Sequence, residues 1–147
     1  MKSIVEVLIE RLGQPERGRA IAAAAALGRF GGPEACTALG DALATHADSA
    51  VRSACADALG RMGGRDAACA LVRVLGDRDR VVWQSAAEAL MGLDDDAMPA
   101  VVSLFQSREQ RERRAALSGL LWLTVEHDES EVSMSDDVNY TVWGWWN

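Results

Sequence analysis

Any chemistry in this chain would fall to a short set of side chains: His46, His127, Cys36, Cys55, Cys69 and the aspartate run at 94–96. Metal binding needs such ligands at set spacings, and no such spacing occurs. Each histidine stands alone and reads as a solvent-facing side chain. The cysteines are odd in number and lack C-x-x-C spacing, against both a disulfide framework and a zinc site. Each sits among alanines in a helical pattern, where a thiol serves as a small buried hydrophobe. The aspartate run lacks the alternating ligands of a calcium loop and suits a helix cap and solvated turn. No glycine-rich phosphate loop appears. No Ser/His/Asp or Cys/His set pairs a nucleophile with a base. No catalytic residue, cofactor site or metal site is assigned, and the chain is expected not to be an enzyme.

Other residues could work by contact. The chain ends "VNYTVWGWWN", so three of its five tryptophans fall in the last five residues. Tyr140, Trp143, Trp145, Trp146 and Asn147 are the candidate binding or modified residues there. Asn139-Tyr140-Thr141 is formally a glycosylation sequon, but a cytoplasmic chain does not meet that machinery. Trp83 is either a surface anchor or a partner for Arg52 in the preceding unit. Arg52, Arg78 and Arg80 lie at turns or helix starts and are expected to form ion pairs between neighbouring units, for example with Asp48 or Asp79. "REQRERR" at 108–114 includes the candidate anchors Arg111, Arg113 and Arg114. It solvates a terminal unit or holds the acidic tail.

These residues must be positioned by a repeat. Leu27, Leu59, Leu90 and Leu120 are spaced by 32, 31 and 30 residues. Leu12, Leu43, Leu75 and Phe105 are spaced by 31, 32 and 30, and the column Leu8, Leu39, Leu71 and Val101 agrees. Within segments the apolar spacing is i, i+4, and alanine abounds, so helices are predicted rather than strands. Gly31-Gly32-Pro33 and Gly63-Gly64 punctuate the units. Ser49, Asp66, Asp79, Asp96 and Ser107 are predicted N-caps. Four helix–turn–helix units follow, at 1–30, 33–62, 65–93 and 96–124. One hairpin cannot bury its apolar face alone, so stability comes from stacking neighbours, with small residues where helices approach. The expected fold class is all-α, a right-handed α-solenoid of about four hairpins.

Net charge is −7 over 147 residues, but residues 1–93 hold 11 basic and 11 acidic side chains. Residues 115–147 hold six acids and no Lys or Arg. A balanced body lacks the basic stripe that nucleic acid requires. No segment approaches the roughly 20 apolar residues of a membrane span. With no secretory signal, a cytoplasmic setting is expected. Domain boundaries are placed at 1–125 for the repeats, 126–137 for a flexible acidic linker and 138–147 for the aromatic segment.

The segment "AVRSACADALGRMGGRDAACALVRVLGDRDRVV" resembles the short HEAT-like repeats of the phycobilin-lyase type. Val51-Arg52 and Ala58-Leu59-Gly60 match that pattern, while the third unit puts Trp83 where Arg52 stands. The resemblance covers residues 1 to about 124 and implies a repeat scaffold. The terminal segment resembles the core of a peptide natural-product precursor in arrangement alone. Non-catalytic binding of a protein or peptide partner is therefore expected, with the tryptophan-rich tail docking or capping. Two alternatives stand beside it. One is a precursor whose tail is modified by a maturation enzyme, the other an accessory subunit of a bilin-lyase-like enzyme. Neither nucleic acid nor a membrane is an expected partner.

Overall fold

The protein is described by a computed structural model covering residues 1–110 apart from Gly76 and Arg78, together with Arg113, Arg114 and Leu117; of Asp94 and Phe105 it describes the backbone. Seven α-helices follow in order among these residues: α1 (Ile4–Leu12), α2 (Arg17–Phe30), α3 (Pro33–Thr45), α4 (Ser49–Met62), α5 (Gly64–Arg73), α6 (Arg80–Met91) and α7 (Ala97–Phe105). A 3-10 turn, Asp94–Asp96, leads into α7, and no strand occurs among the described residues.

The odd-numbered helices form one layer and the even-numbered helices the other. Within the layers α1 packs on α3, α3 on α5 and α5 on α7, while α2 packs on α4 and α4 on α6. Between them lies one continuous apolar sheet of side chains. Leu27, Leu59 and Leu90 are 0%, 0% and 1% exposed, and Leu39, Leu71 and Val101 are 0%, 0% and 1%. Each fully buried side chain of this size contributes about 1.5–3 kcal/mol. No polar or charged residue is buried among the described residues. The architecture is therefore the all-α repeat solenoid that the sequence period predicts.

The two layers are spaced differently, and glycine sets the difference. An added Cβ at Gly28 would lie 2.9 Å from Ala58 Cβ, and one at Gly60 would lie 2.8 Å from Ala89 Cβ. In the other layer, a Cβ at Gly40 would stand 3.4 Å from Ala70 Cβ. The even-numbered helices thus cross almost backbone to backbone. Closer spacing in one layer bends a stack toward that layer, so the even-numbered helices line the inner side of the curve. Between hairpins, Gly31, Gly32, Gly63 and Gly64 have φ of 69°, 93°, 69° and 85°, a region that residues with a Cβ avoid.

The helix starts differ in part from expectation. Asp79 caps α6, its carboxylate accepting from Val81 N at 2.9 Å. Asp48, not Ser49, caps α4, accepting from Ala50 N at 2.9 Å. Asp66 lies inside the first turn of α5, whose cap is Gly63, because the glycine pair has already turned the chain. Asp96 precedes α7 in a right-handed conformation without a side-chain cap bond. Ser107 Oγ accepts from Glu109 N at 3.1 Å.

Candidate partner-binding face

Three inter-helix loops use one device with different residues. The cap-position amide donates to a side chain two residues back: Asp48 N to His46 Nδ1 at 3.1 Å, Asp79 N to Asp77 Oδ1 at 2.8 Å, and Glu109 N to Ser107 Oγ. His46 is therefore a half-buried loop acceptor rather than the solvent-facing side chain expected. Four residues after the cap, an arginine reaches back over the loop. Arg52 Nη1 donates to His46 O at 2.8 Å and Ala47 O at 3.2 Å, and Arg113 Nη1 donates to Ser107 O at 3.0 Å and Arg108 O at 2.8 Å. In each loop both bonds come from the one Nη1 nitrogen, which leaves the rest of the guanidinium for other partners.

Ion pairs then link the units. Arg17 Nε meets Asp48 Oδ2 at 2.6 Å, and Arg52 Nη2 meets Asp77 Oδ1 at 3.4 Å. Pairing between neighbours is as expected, but the partner of Arg52 is Asp77 rather than Asp48 or Asp79. Asp48 is already engaged by Arg17 from the unit before it, and Asp79 by its own helix. The Arg17 guanidinium holds the Asp48 carboxyl below its usual 3.8, helped by the α4 amides.

Trp83 occupies the Arg52 column in α6 and is half-buried, packed against the core. Arg113 is half-buried in its loop clasp, and Arg114 is exposed. Arg78, Arg111, His127, Tyr140, Trp143, Trp145, Trp146 and Asn147 lie outside the described residues, as do the linker and tail segments.

On the inner layer, the period places matching side chains on one open face. Ala22, Ala54 and Ser85 form its floor at equivalent positions of α2, α4 and α6. Beside them run Ala25, Asp57 and Glu88, then Arg29 and Arg61. Asp57, Glu88, Arg29 and Arg61 are exposed. The hydroxyls of Ser53 and Ser85 hydrogen-bond across α4 and α6. Gln84 Nε2 donates to Glu88 Oε1 at 3.4 Å. Lost hydration raises the Asp57 carboxyl above its usual 3.8; the Arg61 guanidinium opposes the rise and the Glu88 carboxylate adds to it. A cation held beside Asp57 would offset both its lost hydration and the repulsion from Glu88. Sequence reasoning passed over Asp57 and Glu88, although both fall in one column with a 31-residue step.

The outer layer offers an open groove of about 620 Å³ between α1 and α3, lined by Ile9, Leu12, Pro33, Thr37 and Asp41. Its Thr37 and Thr45 hydroxyls donate to their own helix, to Pro33 O and Asp41 O. Among the described residues, no group of three His, Cys, Asp or Glu side chains could hold a metal ion. Cys55 is buried, and burial pushes its thiol up to about 12.

Residues 5–91 and 37–122 each match the family model for HEAT repeats. The chain belongs to the HEAT repeat family. No curated protein matches this HEAT repeat chain. Among solved structures, it is similar to a chain from the complex of CpcE and CpcF of phycocyanin lyase from Nostoc sp. PCC7120, with 22% identity and a TM-score of 0.55, over 84% of this chain and 66% of that one. It is also similar to human deoxyhypusine hydroxylase in complex with glycerol, with 24% identity and a TM-score of 0.56, over 82% of this chain and 43% of that one. The HEAT repeat chain thus spans just under two thirds of the first and less than half of the second. At such identities the likeness is one of fold. Among the described residues, no helix is long and apolar enough to cross a membrane.

Proposed function

We propose that this HEAT repeat protein is a non-catalytic scaffold that holds a protein or peptide partner on the open face of α2, α4 and α6. The observation that supports this reading most is the paired carboxylates Asp57 and Glu88, set in register above a floor of small side chains. Alanine and serine let a partner backbone approach closely. The carboxylates select a lysine or arginine on it, and the flanking Arg29 and Arg61 set its register against acidic side chains. The position carries a carboxylate in both α4 and α6, so an extended segment meets the same chemistry twice. The similar lyase chain is itself part of a two-protein complex.

The test is a displayed random-peptide library selected on the full chain and counter-selected on Asp57→Asn with Glu88→Gln. Enriched peptides are expected to carry Lys or Arg and to bind the double variant several-fold more weakly. Neutral or acidic peptides that bind both chains equally would refute the assignment.

A further inference from the structure

The last unit has an open flank that the earlier units do not. Met98 and Val102, one turn apart on α7, are 42% and 48% exposed. One repeat earlier the equivalent residues are Ala68 and Val72 on α5, each 0% exposed where α7 packs on that helix. Leu117 repeats the change in the inner layer. It is 44% exposed, whereas Ala24, Ala56 and Ala87 in its column are each 0% exposed. Side chains at these three positions are apolar, and two of them are larger than their buried counterparts. Solenoids ordinarily end in a unit with a polar outer face. Among the described residues this unit presents an apolar flank instead.

We propose that residues 138–147 fold back onto the flank formed by Met98, Val102 and Leu117 and seal the C-terminal end of the solenoid. The position of the chain argues for this occupant. Thirty residues follow Leu117, starting at the very end that is open, and the last ten hold Val138, Tyr140, Val142, Trp143, Trp145 and Trp146. A flexible chain of 12 residues, the length of 126–137, would span roughly 20 Å, about twice the distance between packed helices. Tethering of this kind raises the local concentration of the segment to about millimolar, so weak contacts suffice. Charge agrees as well: residues 115–147 hold six acids and no Lys or Arg, whereas 108–114 hold four arginines and two glutamates. Each tryptophan can bury about 150–250 Å², enough for two or three to cover the exposed methyl and thioether groups. The cap is independent of the carboxylate face.

The test is peroxide oxidation of the full chain, with the rate at Met98 read by peptide mass spectrometry against Met1, which is fully exposed. Met98 should oxidise several-fold more slowly than Met1. Trp145→Ala with Trp146→Ala should raise the Met98 rate several-fold relative to Met1 while helical circular dichroism is retained. Equal rates at Met98 in both chains would overturn the proposal. Protection of Met98 that grows with protein concentration, together with a dimer in sedimentation, would also overturn it, by making a second copy the cover. Should the double alanine variant lose helicity, Val102→Lys in the full chain provides the second arm. Acrylamide quenching of tryptophan emission should then rise with helicity intact, and unchanged quenching would refute the cap.

Discussion

Replacing Gly60 by alanine adds one methyl group where α4 crosses α6. That carbon would lie 2.8 Å from Ala89 Cβ and 3.2 Å from Ala89 Cα. Carbon atoms pack at about 3.5–4.0 Å, so the helices must part by roughly 0.7 Å. Overpacking of this kind costs about 1–3 kcal/mol, while alanine returns up to about 1 kcal/mol of helix propensity. A net loss of about 1 kcal/mol is expected for Gly60→Ala, and the same for Gly28→Ala, whose Cβ would meet Ala58 Cβ at 2.9 Å. Gly40→Ala meets only Ala70 Cβ at 3.4 Å and should be near neutral. Gly18→Ala meets nothing within 4 Å and should gain about 0.5 kcal/mol. Urea unfolding of the four variants measures the series. Adding Ala89→Gly to Gly60→Ala should relieve the clash, with a coupling of about 1 kcal/mol. Equal stability of the Gly60 and Gly18 variants, or no coupling, would refute the close crossing as the reason for glycine.

Other expectations follow from the same packing and loops. Ala58, 1% exposed, should not accept leucine without a loss of about 1–3 kcal/mol, whereas exposed Ala47 should accept it silently in the same unfolding assay. Arg52→Ala should cost about 2 kcal/mol by urea unfolding, since it opens the loop clasp at His46 O and Ala47 O and removes the ion pair with Asp77. Asp48 has a lowered carboxyl pKa in the fold, so the stability it contributes is present above 3.8 and is lost as pH falls through the lower folded value. Asp48→Asn should therefore flatten the acid side of the melting-temperature profile in that window. Cys55 should stay unlabelled by a thiol reagent at neutral pH until the chain unfolds, because its thiol is pushed up to about 12 and is buried.

The period made the fold legible, because a column such as Leu27, Leu59 and Leu90 marks helices that must stack on one core. Cap identity was less legible. Asp48 and Ser49 are adjacent and both cap well, so only the loop geometry decides that Asp48 turns inward. The loop device was hidden for a different reason. His46, Asp77 and Ser107 are unlike residues that share only an acceptor atom two positions before the cap. Arg52 was marked as an inter-unit ion pair, but its partner depended on Arg17 having already taken Asp48. Trp83 sits half-buried against the core, a wide side chain in an arginine column. The carboxylates of the open face lay in plain sequence. Their significance appears only when α4 and α6 bring Asp57 within reach of Glu88.

A partner held on the face of α2, α4 and α6 would be located by amide chemical-shift mapping of the full chain with a library-selected Lys- or Arg-bearing peptide. Shifts are expected at Ala54, Asp57, Ser85 and Glu88, growing as pH rises through the raised Asp57 pKa and the carboxylate ionises. Shifts confined to α3 and α5 on the outer layer, or a response at Asp57 that is independent of pH, would rule this face out as the binding surface.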